Sequence, residues 1–151
     1  MKDRIKFNDA MFTAVMNGRK TQTRRPIKPQ PKVTEDELRK LGAWQDGYTL
    51  SEQVCAAWRH GFIDPDCPYG EIGDIINVAD KDGNIKGKIE ITDVWLQQVN
   101  DISESDAKAE GFDGKLNSCT SDFAAVWIGI YGIDNWMNNE WTWVIEFKNA
   151  S

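Results

Sequence analysis

The chain has 151 residues, the size of one domain that buries roughly 68–70% of its unfolded surface. With 40% hydrophobic and 28% charged residues it has an ordinary soluble, globular composition, and no apolar run approaches the ~20 residues of a membrane span. A net charge of -6 and a pI of about 4.8 argue against broad electrostatic capture of nucleic acid, so any such contact must be local.

The opening MKDRIKFNDAMF has no uninterrupted apolar stretch of the kind a secretory signal needs. Ile5 and Phe7 can open a short strand. Asn8 can cap a helix over about 9–17, with Met11, Phe12, Val15 and Met16 on one face and Gly18 beyond its end. GRKTQTRR, residues 18–25, follows. It packs four cations and two threonines into eight positions of an acidic chain. Thr21 and Thr23 favour extended backbone there, and Pro26 stops helix growth. PIKPQPK predicts surface polyproline II. Thr34 with Glu37 signals a short helix ending at Gly42, and Ser51 can cap another with Val54 and Trp58 inward and Gly61 beyond. The stretch 30–66 is weakly hydrophobic and reads as an insertion, not core; within a single domain over 1–151 the insertion is placed at about 26–66.

Strand signals take over after CPYGEIGD. Ile75, Ile76 and Val78 precede a turn at 80–84. Residues 85–99 form a long strand whose facing changes parity, which predicts a bulge near Thr92–Asp93. Ser103 and Asp106 start a short helix that stops at Gly111. Phe123, Val126, Trp127 and Ile130 repeat at helical spacing up to Gly132. Trp141, Trp143, Ile145 and Phe147 alternate along WTWVIEFK. Short helices interrupting strands indicate an α+β domain around a curved sheet or small barrel. The three cysteines and single histidine offer no zinc-ligand spacing, so a reducing cytoplasm, no metal and no cofactor are expected.

GRKTQTRR after an amphipathic helix, the CPYGxxGD turn, a strand leading to DISESDAKAEG, and a terminal WVIEF strand together resemble the ASCH domain, more narrowly its phage and prophage branch. The resemblance spans residues 5–25 and 67–148. It implies a PUA-like fold, a small mixed β-barrel with short helices packed around a cleft. It also implies one of two activities. Some members are thought to bind RNA. A short bacterial branch hydrolyses N4-acetylcytidine using a Lys, a Thr and a Glu, which the resemblance places on Lys20, Thr23 and Glu110. Two departures stand out: IINVADKDGN replaces the VRE-like segment usual after the GD turn, and the 26–66 stretch has no counterpart in the short amidohydrolases.

The residue types suit that chemistry. Amide hydrolysis needs a nucleophile, a base and oxyanion donors. A lysine serves as base only if its pKa falls, which like charge from Arg19, Arg24 and Arg25 plus partial burial would achieve. On a regular strand Lys20 and Thr23 face opposite ways, so the chain must bend near 20–21 or the hydroxyl beside Lys20 belongs to Thr21. Glu110, at a helix C-terminus against the dipole, suits a proton donor. Glu104 and Asp106, in the first turn of that helix, read as structural. Tyr69 is placed at the cleft mouth, and Trp136, in the irregular GIDNWMNNE, could stack on a base. Two readings follow. One is a metal-free amidohydrolase acting on an N4-acylated cytosine nucleoside or related modified base. The other is a non-catalytic reader of single-stranded RNA or modified nucleotides, with Arg19, Thr21, Arg24 and Arg25 among its contacts.

Overall fold

Two long strands organise the computed structural model, which describes residues 4–31, 34–40, 42, 44–60 and 67–151. β4 (Ile85–Gln98) and β5 (Trp141–Asn149) run antiparallel, from Ile89 opposite Asn149 to Gln98 opposite Trp141. β3 (Ile75–Ala79) reaches β4 through a turn in which Asp80 Oδ1 accepts from the backbone N–H groups of Asp82 and Asn84. β1 (Arg4–Lys6) lies parallel to β3, and β2 (Gln22–Pro26) antiparallel to β5, giving the order β1-β3-β4-β5-β2. The sheet therefore has two edges, and side chains link them where a closed barrel would have a ladder: Arg25 of β2 donates to the Lys6 carbonyl of β1 at 2.7 Å. The expected bulge appears as a register skip between Ile91 and Asp93. One extra residue switches the inward parity, so Ile89 and Ile91 share the core with Val94 and Leu96.

Helix α1 (Asp9–Met16) starts where the Asn8 side chain accepts from Met11 N–H. α2 (Glu35–Lys40) follows Thr34, whose hydroxyl accepts from Glu37 N–H. α3 (Leu50–Arg59) is capped two residues earlier than Ser51, by Thr49 in a reciprocal box with Glu52. Ser51 sits inside the helix and instead donates to Asp101 while accepting from Gln98 N–H. Gly61, expected beyond that helix, lies outside the described residues.

Within 30–66, described residues of α2 and α3 join the core. Leu38, Val54 and Ala57 are buried in the main apolar cluster with Ile5, Val15, Ile76, Trp143 and Phe147, and the Trp58 ring packs edge-on against Trp143 at 5.3 Å. Few apolar residues suffice when each lands inward on a short helix, which average hydrophobicity conceals. The proline-rich stretch is likewise tied down. Ile27 is buried, and the Gln30 side chain both accepts from Trp141 N–H and donates to Trp141 O.

A second apolar cluster lies under α4 (Glu104–Ala109), α5 (Cys119–Tyr131) and α6 (Ile133–Met137). Phe123 and Trp127 point into it, whereas Val126 and Ile130, at 39% and 61% exposed, turn outward. Trp136 belongs to α6, not to an irregular segment, and packs on Phe123. All three cysteines are free thiols, and no helix among the described residues is long and apolar enough to cross a membrane.

Candidate functional site

Three segments meet at the start of β2. Gly18, at φ +82°, ends α1 by turning the chain back, and Lys20 N–H then bonds to Ala14 O. Thr21 N–H reaches across to Ala109 O at the end of α4, and its own carbonyl accepts from Phe147 N–H of β5. Regular strand geometry begins only at Gln22, and the chain bends at Arg19, one residue before the expected position at 20–21. Gly111, at φ +111°, lets α4 end close beside Lys20: a Cβ there would lie 3.5 Å from Lys20 Cβ.

These turns bury a charged group of side chains. Lys20, Thr23, Arg24 and Glu110 are only 5%, 3%, 3% and 4% exposed. Lys20 Nζ donates to the Glu110 backbone carbonyl at 2.9 Å and lies 3.6 Å from its Oε1. The other carboxylate oxygen faces Arg24, with Nη1 to Oε2 at 3.6 Å. Glu110 is the C-cap of α4 and thus holds two buried cations at once. Among the described residues, Glu110 Oε2 and Arg24 Nε have no hydrogen-bond partner. Burial lowers the Lys20 pKa from its ordinary 10.5; Glu110 opposes the shift, and Arg25 and Arg24 add to it. An amine so placed loses its proton more readily than a surface lysine.

β2 alternates around this group. Gln22 and Arg24 share one face: Arg24 donates to Gln22 Oε1 and Gln97 Oε1, and Asp106 Oδ2 lies 3.5 Å away. Asp106 thus does more than support a helix start. Its N–H is held by the Ser103 hydroxyl while its carboxylate receives Gln22 and Arg24. Thr23 and Arg25 occupy the other face, where Arg25 Nε donates to Thr23 Oγ1 at 3.2 Å. Phe7 ties Lys20 to that second face: Lys20 Nζ lies 5.9 Å and the Arg25 guanidinium 5.1 Å from its ring centre. Thr21 is half-buried and held through its backbone, and Arg19 is exposed.

Arg25 connects the buried group to a cavity of about 330 Å³, walled by Tyr69 and Tyr131, with Trp143 buried at its floor and Lys28 and Pro68 exposed at its rim. The Arg25 guanidinium also lies 5.9 Å from the Tyr69 ring. Burial raises the Tyr131 phenol above its ordinary pKa of 10.0; Tyr69 and Glu110 push the same way and Arg25 opposes them. Tyr131 therefore feels both the cavity and the Lys20–Glu110 group.

Of the eight residues 18–25, only Arg25 lines this cavity; Lys20, Thr23 and Glu110 are buried and do not line it. Trp136 is packed in the second apolar cluster and lines neither this cavity nor the larger one. That larger space, about 820 Å³ between α3 and β4, is lined by Ser51, Arg59, His60 and Trp95 and receives none of the candidate side chains. The buried charged group that Arg25 adjoins, not the volume, makes the smaller cavity the candidate site. No group of three or more His, Cys, Asp or Glu side chains placed to hold a metal occurs among the described residues. Tyr131 was missed in the sequence, although Phe123, Trp127 and Tyr131 form an i, i+4, i+8 aromatic stripe that extends to this wall.

No family model and no curated protein matches the sequence. Solved structures do. A protein from Enterococcus faecalis V583 assigned to DUF984 superposes with a TM-score of 0.55 at 18% identity, covering 99% of this chain and 80% of its own. An ASCH domain from Lactobacillus crispatus JV V101 gives 0.52 at 18% identity, over 93% of this chain and 70% of that one. A protein described only as hypothetical gives 0.54 at 13% identity, over 99% of both chains. The fold is that of an ASCH domain. It is an α+β, PUA-like architecture of one mixed sheet and several short helices.

Proposed function

We propose that this ASCH-like chain is a metal-free amide hydrolase acting on an N4-acylated cytosine nucleoside or a related modified base, of the phage and prophage type and similar in its residue set to the bacterial N4-acetylcytidine amidohydrolases. The observation that carries the reading is the buried Lys20, its pKa lowered by desolvation, 3.6 Å from the Glu110 carboxylate. In this reading neutral Lys20 takes the proton from the Thr23 hydroxyl, or from a water that Thr23 positions. The freed oxygen attacks the acyl carbon, and Arg25, already bonded to Thr23, stabilises the oxyanion. The C–N bond then breaks as the proton taken up by Lys20 passes through the Glu110 carboxylate, 3.6 Å away, to the departing N4, which returns both side chains to their starting states. If Thr23 was the nucleophile, water hydrolyses the acyl-threonine. The products are the free cytosine nucleoside and the carboxylic acid. The Lys20 ammonium formed on the way gains from the adjacent carboxylate, an attraction absent while the amine is neutral.

Incubation with N4-acetylcytidine, followed by chromatography of cytidine, tests this directly. Turnover lost on Lys20→Ala is expected; turnover that survives it removes Lys20 as base, and none at high enzyme concentration removes the substrate. One observation favours the second reading, a non-catalytic cleft for single-stranded RNA or modified nucleotides: Arg25 and the aromatic walls line the cavity, whereas Lys20 does not. In that case oligonucleotides bind with modest affinity that weakens as salt rises, and no cytidine is released.

A further inference from the structure

Charge around the cavity is unevenly distributed. Its lining excludes Glu110, a carboxylate already shared between Lys20 and Arg24. Its rim carries Lys28, exposed and, among the described residues, in no ion pair. Arg25 stands between, its Nε committed to Thr23 and one Nη to Lys6 O. An anion is attracted at the rim, where no carboxylate lines the cavity beside Lys28, in a chain whose overall charge is -6. Tyr69 and Tyr131 line the same space without ring contact with each other; Tyr69 is engaged by Arg25 and Tyr131 by Trp127 at 4.4 Å. A flat ring that enters this space meets both tyrosines in its walls. About 330 Å³ is near the lower end of the ~300–1,000 Å³ range of ligand sites, enough for one nucleotide and too little for a strand.

We infer that the cavity takes a single nucleoside 5′-monophosphate, its base set between Tyr69 and Tyr131 toward the buried group and its phosphate on Lys28. This rests on reading the cleft as a modified-nucleotide site and adds that the phosphorylated form, not the free nucleoside, is the preferred ligand. Lys28 is the discriminating residue because a charge-assisted bond from an unpaired rim ammonium is available to phosphate and has no counterpart for a 5′-hydroxyl.

The test is calorimetric titration of cytidine and N4-acetylcytidine, each as nucleoside and as 5′-monophosphate, against the wild type and Lys28→Ala. Lys28 is a surface side chain, so its removal leaves the fold intact. In the wild type the monophosphates are expected to bind at least about tenfold more tightly than the nucleosides. That advantage should shrink to within about threefold in Lys28→Ala and decline with added salt, while nucleoside affinity stays unchanged. Equal affinities in the wild type, an advantage that persists in Lys28→Ala, tighter binding of a 5′-phosphorylated oligonucleotide than of the mononucleotide, or no binding of any ligand would each overturn the inference. Cytidine release without phosphate preference would leave the hydrolase reading standing and sink this one. A Lys28-dependent phosphate preference without hydrolysis would do the reverse.

Discussion

Glu110 is the residue on which the buried charges depend. Its two oxygens face Lys20 and Arg24, each at 3.6 Å, and all three side chains are almost fully buried. Removing one member of such a group leaves the others charged in a poorly solvating interior. Glu110→Gln should therefore cost about 3–5 kcal/mol in unfolding free energy, read from urea denaturation, despite its matched size. A loss below about 1 kcal/mol would mean that the carboxylate is solvated and the cluster weak. Lys20 supplies a pH prediction at the same scale. Burial lowers its pKa from 10.5, so the neutral, basic form becomes populated at a lower pH than for a surface lysine. Under the hydrolase reading kcat/KM should rise with pH and level off below 10.5, because the deprotonated amine is the active species. The rise should disappear in Lys20→Arg, whose guanidinium does not titrate there.

Helix α5 starts from a clamp supplied by α4. The Glu104 carboxylate accepts from the backbone N–H groups of Cys119 and Thr120 and from the Thr120 hydroxyl, at 2.8, 3.0 and 3.1 Å. The backbone N–H groups of Thr120 and Cys119 hold its pKa below the ordinary 4.5. A carboxylate with a depressed folded pKa stabilises the native state above the unfolded value and stops doing so as pH falls through the folded one. Thermal stability should thus decline below about pH 4.5 with a component that Glu104→Gln removes. At neutral pH the variant should melt lower than the wild type, since α5 loses a charged cap. Identical pH profiles for the two proteins would show that the clamp does not stabilise the helix. Tyr131, at the far end of α5, forms a wall of the cavity, so this clamp also supports the site.

For the molecule as a whole, the 26–66 stretch bears on whether the domain unfolds as one unit. We propose that it is an insertion relative to the short amidohydrolases that has joined the core, since Leu38 is 0% exposed and packs in the same cluster as the sheet. Leu38→Ala should cost about 2–5 kcal/mol and lower the single unfolding midpoint of the entire domain. A separate, early transition with the main midpoint unmoved would show that the stretch folds as an independent appendage.

Local signals were legible wherever a short-range rule decides the outcome. Asn8 capping α1, the turn at 80–84, the bulge between Ile91 and Asp93, and Ser103 opening α4 all depend on residues a few positions apart. Composition also indicated that GRKTQTRR was unusual, because four cations in eight residues of an acidic chain stand out without coordinates. Other features required the tertiary structure. Glu110 meets Lys20 across 90 positions of chain, and Gln30 is fixed by β5 across 111, distances at which no periodicity constrains contact. The face of an apolar residue is also decided globally: Val126 and Ile130 share the helical spacing of Phe123 and Trp127 yet point outward, because only one side of α5 has a partner. The same holds for charge. A cationic stretch is a solvated surface or part of a buried ion cluster according to whether a distant carboxylate arrives to balance it, and only the packing of α4 against the start of β2 brings Glu110 there.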